Sequence, residues 1–198
     1  PAAIEALGAA TILCTDKTGT LTLNRMSIAE LDAGGARWTH DEKELPEAFH
    51  LLVEFGILAC EVDPFDPMEK AFHDFGQRHL AGTEHLHAKW TLAHEYGLSS
   101  ELLAMSHVWQ AVDRSEYVIA AKGAPEAIAD LCHLPPEGLA QVRGAAERMA
   151  ARGMRVLGVA KAAFAGDVWP GNQHDFEFAF LGLVALALLP FAATGLGL

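Results

Sequence analysis

The sequence predicts an α+β domain in which a mostly antiparallel, twisted sheet is flanked by helices. Two observations carry this. β-rich runs come partly as a hairpin, Ser106–Val112 and Glu116–Ala121 across the polar Asp113-Arg114 turn, and partly between helical segments. Helical segments come in pairs, each opened by a proline, with apolar residues at three- and four-residue spacing. Composition agrees: 198 residues that are 51% hydrophobic and 20% charged can bury a core and do not make a disordered chain.

In chain order, Thr11–Thr15 reads as a strand that runs into a polar, Gly-containing loop, Asp16 to Thr22. Met26–Leu31 is a second strand, and Gly34-Gly35 marks a turn. Asp41 or Leu45-Pro46 can open a helix in which Leu45, Phe49, Leu52, Val53, Gly56 and Ile57 share a face. Asp66 is placed to cap the next helix, with Pro67 at its first position and Ala71, Phe72, Phe75 and Leu80 on its apolar side. Trp90–Tyr96 and the hairpin follow. The Lys122-Gly123-Ala124-Pro125-Glu126 loop starts a helix through Cys132. A further helix, Pro136–Arg152, carries Leu139, Val142, Ala146 and Met149 on one side and stops at Gly153. Strands at Arg155–Phe164 and Phe176–Leu186 flank a polar loop. From Phe178 to Leu198 there are 21 residues without a charge, long enough for a membrane span. Gly182, Pro190, Gly195 and Gly197 interrupt that run, so a buried strand over Phe180–Leu186 with an apolar tail is the preferred reading. Pro1–Glu5 shows no basic, apolar leader.

The net charge of −12 disfavours a nucleic-acid binder, which needs a basic surface. Cys14, Cys60 and Cys132 form no Cys-x-x-Cys pair, which speaks against a structural zinc site or a disulfide framework. The ten histidines, His79, His85, His87 and His94 among them, match no common zinc spacing and read as exposed loop residues. The four tryptophans read as packing residues, and no P-loop is present.

Asp16 is the sharpest candidate for chemistry. A carboxylate at a strand end can attack phosphorus to form an acyl phosphate. Lys17 offsets charge on the transferring group, and Thr18, Thr20 and loop N–H groups can hold phosphate oxygens. A divalent cation, Mg2+, would neutralise the remainder with Asp16 and Thr18 as ligands.

Asp16-Lys17-Thr18-Gly19-Thr20-Leu21-Thr22 resembles the phosphorylation motif of P-type ATPases, and Ile4-Glu5-Ala6-Leu7-Gly8 before it is also similar to those pumps. Lys122-Gly123-Ala124-Pro125-Glu126, Arg152-Gly153-Met154-Arg155-Val156-Leu157 and Asp66-Pro67-Met68-Glu69 resemble segments of their nucleotide-binding domain, in the same order. The likeness covers residues 1 to about 187 and is nearest to bacterial calcium-type pumps. It implies a fragment of the Rossmann-like phosphorylation domain at 1–23, a nucleotide-binding domain at 24–187 and an atypical apolar tail at 188–198. It also implies ATP and Mg2+ as cofactors, Asp16 as the phosphorylated residue with Lys17 and Thr18 beside it, and Glu69, Lys122, Gly123 and Arg155 around ATP. An aromatic should stack on adenine: Tyr96 is the preferred candidate, although counting back from Met105-Ser106 without a gap reaches Leu98. The basic residues expected after that position are absent from Ser99–Leu103.

Haloacid-dehalogenase-like phosphatases carry a second acid two residues after the nucleophile. Thr18 stands there, so a long-lived acyl phosphate fits better. The resemblance further implies phosphorylation, actuator and transmembrane domains as partners, at the cytoplasmic face of a bacterial plasma membrane. The transported cation would be bound in membrane helices, not by this chain. The segments that complete the Mg2+ site and drive dephosphorylation are not in this sequence, so little self-phosphorylation by the chain alone is expected. The alternative is a non-catalytic ATP-binding or interaction remnant.

Overall fold

The computed structural model describes residues 22–112 and 116–190. The strand expected at Thr11–Thr15, the motif residues Asp16, Lys17 and Thr18 and the tail 191–198 lie outside the described residues, as does the hairpin turn at 113–115.

Among the described residues a seven-stranded antiparallel sheet forms the middle layer, with β1 (Thr22–Ala33), β2 (Ala36–Thr39), β3 (Thr91–Tyr96), β4 (Ala104–Gln110), β5 (Tyr117–Gly123), β6 (Arg155–Phe164) and β7 (Ala179–Pro190). Its spatial order is β2-β1-β7-β6-β5-β4-β3. The expected α+β class therefore holds. β1 and β7, far apart in sequence, lie side by side with Thr22 opposite Pro190. Residues 179–190 thus form a strand, and among the described residues no helix is long and apolar enough to cross a membrane.

Helices α1 (His50–Leu58) and α2 (Pro67–His79) cover one face; α3 (Pro125–Leu131) and α4 (Pro136–Ala150) cover the other. Period-2 alternation assigns side chains to these faces. Trp109, Val118, Ala120, Val159 and Val184 pack beneath α1 and α2, whereas Val108, Ile119, Ala121 and Ala160 pack with Ile128 and Leu131 of α3. The expected caps form. The Asp66 carboxylate accepts from the Met68 N–H at 2.7 Å, with Pro67 opening α2. Gly153 turns the chain out of α4 at φ 79°, a conformation glycine adopts at little cost.

Three differences from the sequence reading stand out. The short strand β2 follows the Gly34-Gly35 turn, where no strand is predicted. Lys122 and Gly123 belong to the end of β5, not to a loop, so their side chains inherit strand parity. His85 and His87 are not exposed loop residues. Their side chains are 17% and 16% accessible and both grip the buried Glu54 of α1, His85 Nδ1 at 2.6 Å from Oε2 and His87 Nε2 at 2.6 Å from Oε1. Glu54 thereby fastens the 80–90 connection to the helix, satisfying a carboxylate that could not be buried alone.

Candidate functional site

Lys122 projects from β5 toward α1 and α2 and is 3% exposed. Burial of an ammonium needs partners. Its Nζ donates to the Glu69 carboxylate of α2 and to Cys60 Sγ at 3.1 Å. The Cys60 thiol in turn donates to the Gly56 carbonyl at 3.2 Å. Burial pushes that thiol up to about 12, against the opposing pull of Lys122, so it stays protonated and serves as a neutral acceptor for the ammonium. Asp66-Pro67 sets the start of α2 and so brings Glu69, in its first turn, over the sheet. Two of the three Lys122 N–H groups are used among the described residues.

Beside this pair lies a cleft of about 270 Å³. Met68, Leu98, Leu103, Met105, Lys122, Gly123 and Arg155 contribute to its wall. An adjoining hollow of about 320 Å³ shares Met68 and Arg155 and extends past Asp66 and Gly153. Arg155 starts β6 on the same face as Lys122, with its side chain exposed. Leu98 and Leu103 are 64% and 59% exposed, an apolar wall open to a ligand. The cleft wall thus combines the Lys122–Glu69 pair and the exposed Arg155 with aliphatic surface.

The structure brings Lys122, Gly123 and Arg155 into one cleft, with Glu69 beside them. Gly123 has a packing reason to be glycine: a Cβ there would sit 2.3 Å from the Leu103 carbonyl oxygen and 2.6 Å from Ala104 Cα, so any side chain would push β4 away.

Tyr96 is the exception and requires correction. It pairs with Ser106, whereas Lys122 pairs with Met105 one residue earlier. Parity therefore puts Tyr96 on the opposite face from Lys122. There its hydroxyl donates to the Pro170 carbonyl at 2.6 Å and its ring packs edge-on to Phe176. Leu98, the ungapped alternative, lines the cleft instead. Several contributors escaped the sequence reading, among them Cys60 and Leu103, whose roles need the fold, and Met68, which stands beside Glu69 and could have been inferred from it.

An open antiparallel sheet with a helix pair on each face is the α+β architecture expected above. Residues 65–189 of the 198 match the family described as P-type ATPase, cytoplasmic domain N, and the chain belongs to that family. It is 29% identical to a protein named "Probable cation-transporting ATPase F" of Mycobacterium tuberculosis, over 97% of this chain and 25% of that protein. It is 25% identical to a protein named "Calcium-transporting ATPase" of Bacillus subtilis, over 91% of this chain and 24% of that protein. A 55-residue stretch is 49% identical to a plasma membrane-type "Calcium-transporting ATPase 8" of Arabidopsis thaliana, covering 28% of this chain and 5% of that protein. The chain thus spans about a quarter of the length of the first two relatives.

Proposed function

We propose that the chain is the ATP-binding cytoplasmic region of a cation-transporting P-type ATPase at a membrane surface. The single observation that carries this is the cleft in which Lys122, Gly123 and Arg155 share a wall with exposed aliphatic residues, beside Glu69. Adenine lies against Met68, Leu98 and Leu103, in place of the aromatic stacking sought at Tyr96. Aliphatic surface excludes water from a purine face but supplies less specific stacking than a ring. The third N–H of Lys122 points its charge at an acceptor on the nucleotide. Arg155, with a planar fork of donors, takes the phosphate chain in the adjoining hollow.

In the intact pump the γ-phosphoryl group passes to Asp16. The attacking carboxylate oxygen forms the new bond to phosphorus while the bond to the bridging oxygen of ADP breaks. Lys17 and Thr18 balance and hold the transferring oxygens. Mg2+ suits this donor set, a carboxylate and a hydroxyl beside phosphate oxygens, and when bound it supplies charge neutralisation. Phosphorylation, actuator and membrane domains are the partners this reading requires, and ion transport is their joint activity.

Nucleotide titration of the chain by NMR or calorimetry tests the reading. Saturable Mg-ATP binding with Kd between about a micromolar and a millimolar, weakened at least about tenfold by Arg155→Ala for loss of a charged contact, is the expected result. Absence of saturable binding by the folded wild-type chain would favour the remnant reading instead.

A further inference from the structure

The face that carries the cleft holds a second cluster farther along β4, one that the proposed ATP chemistry leaves unused. His107 projects from β4 and is 1% exposed. Directly across the strand pairing stands Glu95 of β3, and Glu61 reaches in from the turn that follows α1, one residue after Cys60. One ligand atom from each of Glu61, Glu95 and His107 lies within 4.8 Å of the other two.

Three features of this cluster are hard to explain as packing. First, among the described residues His107 has no hydrogen bond at Nδ1, and its Nε2 faces Glu95 Oε1 at 3.7 Å, beyond hydrogen-bonding range. Buried polar groups are nearly always paired, and here Nε2, the nitrogen turned toward Glu95, makes no hydrogen bond among the described residues and is available to a ligand. Secondly, burial, the dominant influence on His107, lowers its proton affinity, which leaves a neutral ring with a lone pair to donate. Thirdly, neither Glu61 nor Glu95 has a Lys or Arg partner among the described residues, while the nearby Lys122 is held by Glu69. Two carboxylates and a neutral imidazole converge with no cation to balance them. Ligand atoms about 2.0–2.2 Å from a common ion stand roughly 3–3.5 Å apart, so the observed spacing closes with small rotations of the two exposed glutamates.

We propose that Glu61, Glu95 and His107 form a binding site for a divalent transition cation of the zinc type, with water completing its coordination. One imidazole with two carboxylates suits Zn2+ or Co2+; Mg2+ and Ca2+ prefer oxygen throughout. The bound ion ties the turn after α1 to the β3–β4 edge, alongside the Lys122–Glu69 pair. The inference does not rest on the ATP reading and is tested without nucleotide.

The full chain is titrated with Zn2+ by calorimetry and with Co2+ by visible absorption. The Glu61→Gln/Glu95→Gln double variant, whose changes are at exposed side chains, is run in parallel. Expected are one Zn2+ equivalent per chain that the double variant loses or binds at least about tenfold more weakly, a Co2+ d–d band missing from the variant, and no competition from millimolar-range Mg2+. Because the chain has other histidines, the comparison with the variant is decisive: equal Zn2+ affinity in both proteins, or no binding by wild type, overturns the proposal. A His94→Ala control, altering a ring stacked on Trp169 at 5.6 Å, leaves the affinity unchanged if the site is the one described. Loss of affinity in that control equal to the double variant's also overturns it.

Discussion

Replacing Glu69 by leucine leaves the Lys122 ammonium buried with only a thiol to accept from it. The two side chains are 4% and 9% accessible, so neither charge can be rehydrated without opening the gap between α2 and β5. Removal of one member of a buried pair costs about 3–5 kcal/mol. At about 2–4 °C per kcal/mol for a domain of this size, the melting temperature should fall by roughly 6–20 °C. Lys122→Met should cost a similar amount, because it strands the carboxylate. The Glu69→Leu/Lys122→Met double variant should regain most of the loss, since apolar replacement of a whole buried pair is often neutral or better. It should fold and yet bind ATP poorly, which separates the stability of the pair from its proposed use. The assay is urea denaturation at low temperature for all four members of the cycle. Single variants that each lose less than about 1 kcal/mol would mean that the pair is solvated in solution. A double variant as unstable as the sum of the singles would refute the argument that the pair acts as a unit.

Other outcomes follow from particular contacts. Asp66→Ala removes the acceptor for the Met68 N–H and should cost about 1 kcal/mol in a urea melt, with Asp66→Ser recovering most of it. His79, packed on Phe75 and Trp38, has its affinity for a proton lowered from the usual 6.5, first by burial and then by Arg78. The unfolded chain therefore takes up the proton first, and this contribution to stability is present above about pH 6.5 and lost as pH falls below it. Measured as the change in urea midpoint between about pH 7.5 and about pH 5.5, the loss should be smaller in His79→Gln; an identical change in both proteins contradicts it. Burial pushes the thiols of both Cys60 and Cys132 up to about 12, so at about pH 8 only roughly one in ten thousand is thiolate. In a Cys14→Ser chain, Ellman's reagent should find almost no reactive thiol until the protein is denatured, and prompt labelling of the native chain would refute this.

Local rules made much of the fold legible. The bounds of β6 at Arg155 and Phe164, the Asp66-Pro67 helix start and the Gly153 stop all follow from short-range preferences that tertiary packing did not override. The Lys122, Glu69 and Arg155 grouping was readable only through motif resemblance, since no spacing rule unites residues on β5, α2 and β6. Tyr96 shows the limit. Choosing between it and Leu98 needs the end of β3: strict alternation would put both on one face, and Leu98 reaches the cleft because the chain has left the strand after Tyr96. Glu54 was illegible for a related reason: an acid amid apolar neighbours reads as solvent-facing until its histidine partners, more than thirty residues away, fold over it. β2 was missed because four residues with one buried side chain carry almost no periodic signal. His107 looked like an ordinary strand residue, and only its unpaired ring distinguishes it.

The pairing of Thr22 with Pro190 has a mechanical consequence. Incoming and outgoing polypeptide pass through one doorway, running in opposite directions as a ribbon. Whatever is joined to both ends would hold the lobe on a double leash attached at a single point. Two short connections would suffice to graft such a lobe into a surface loop of another domain while its own hydrogen-bond ladder stays intact.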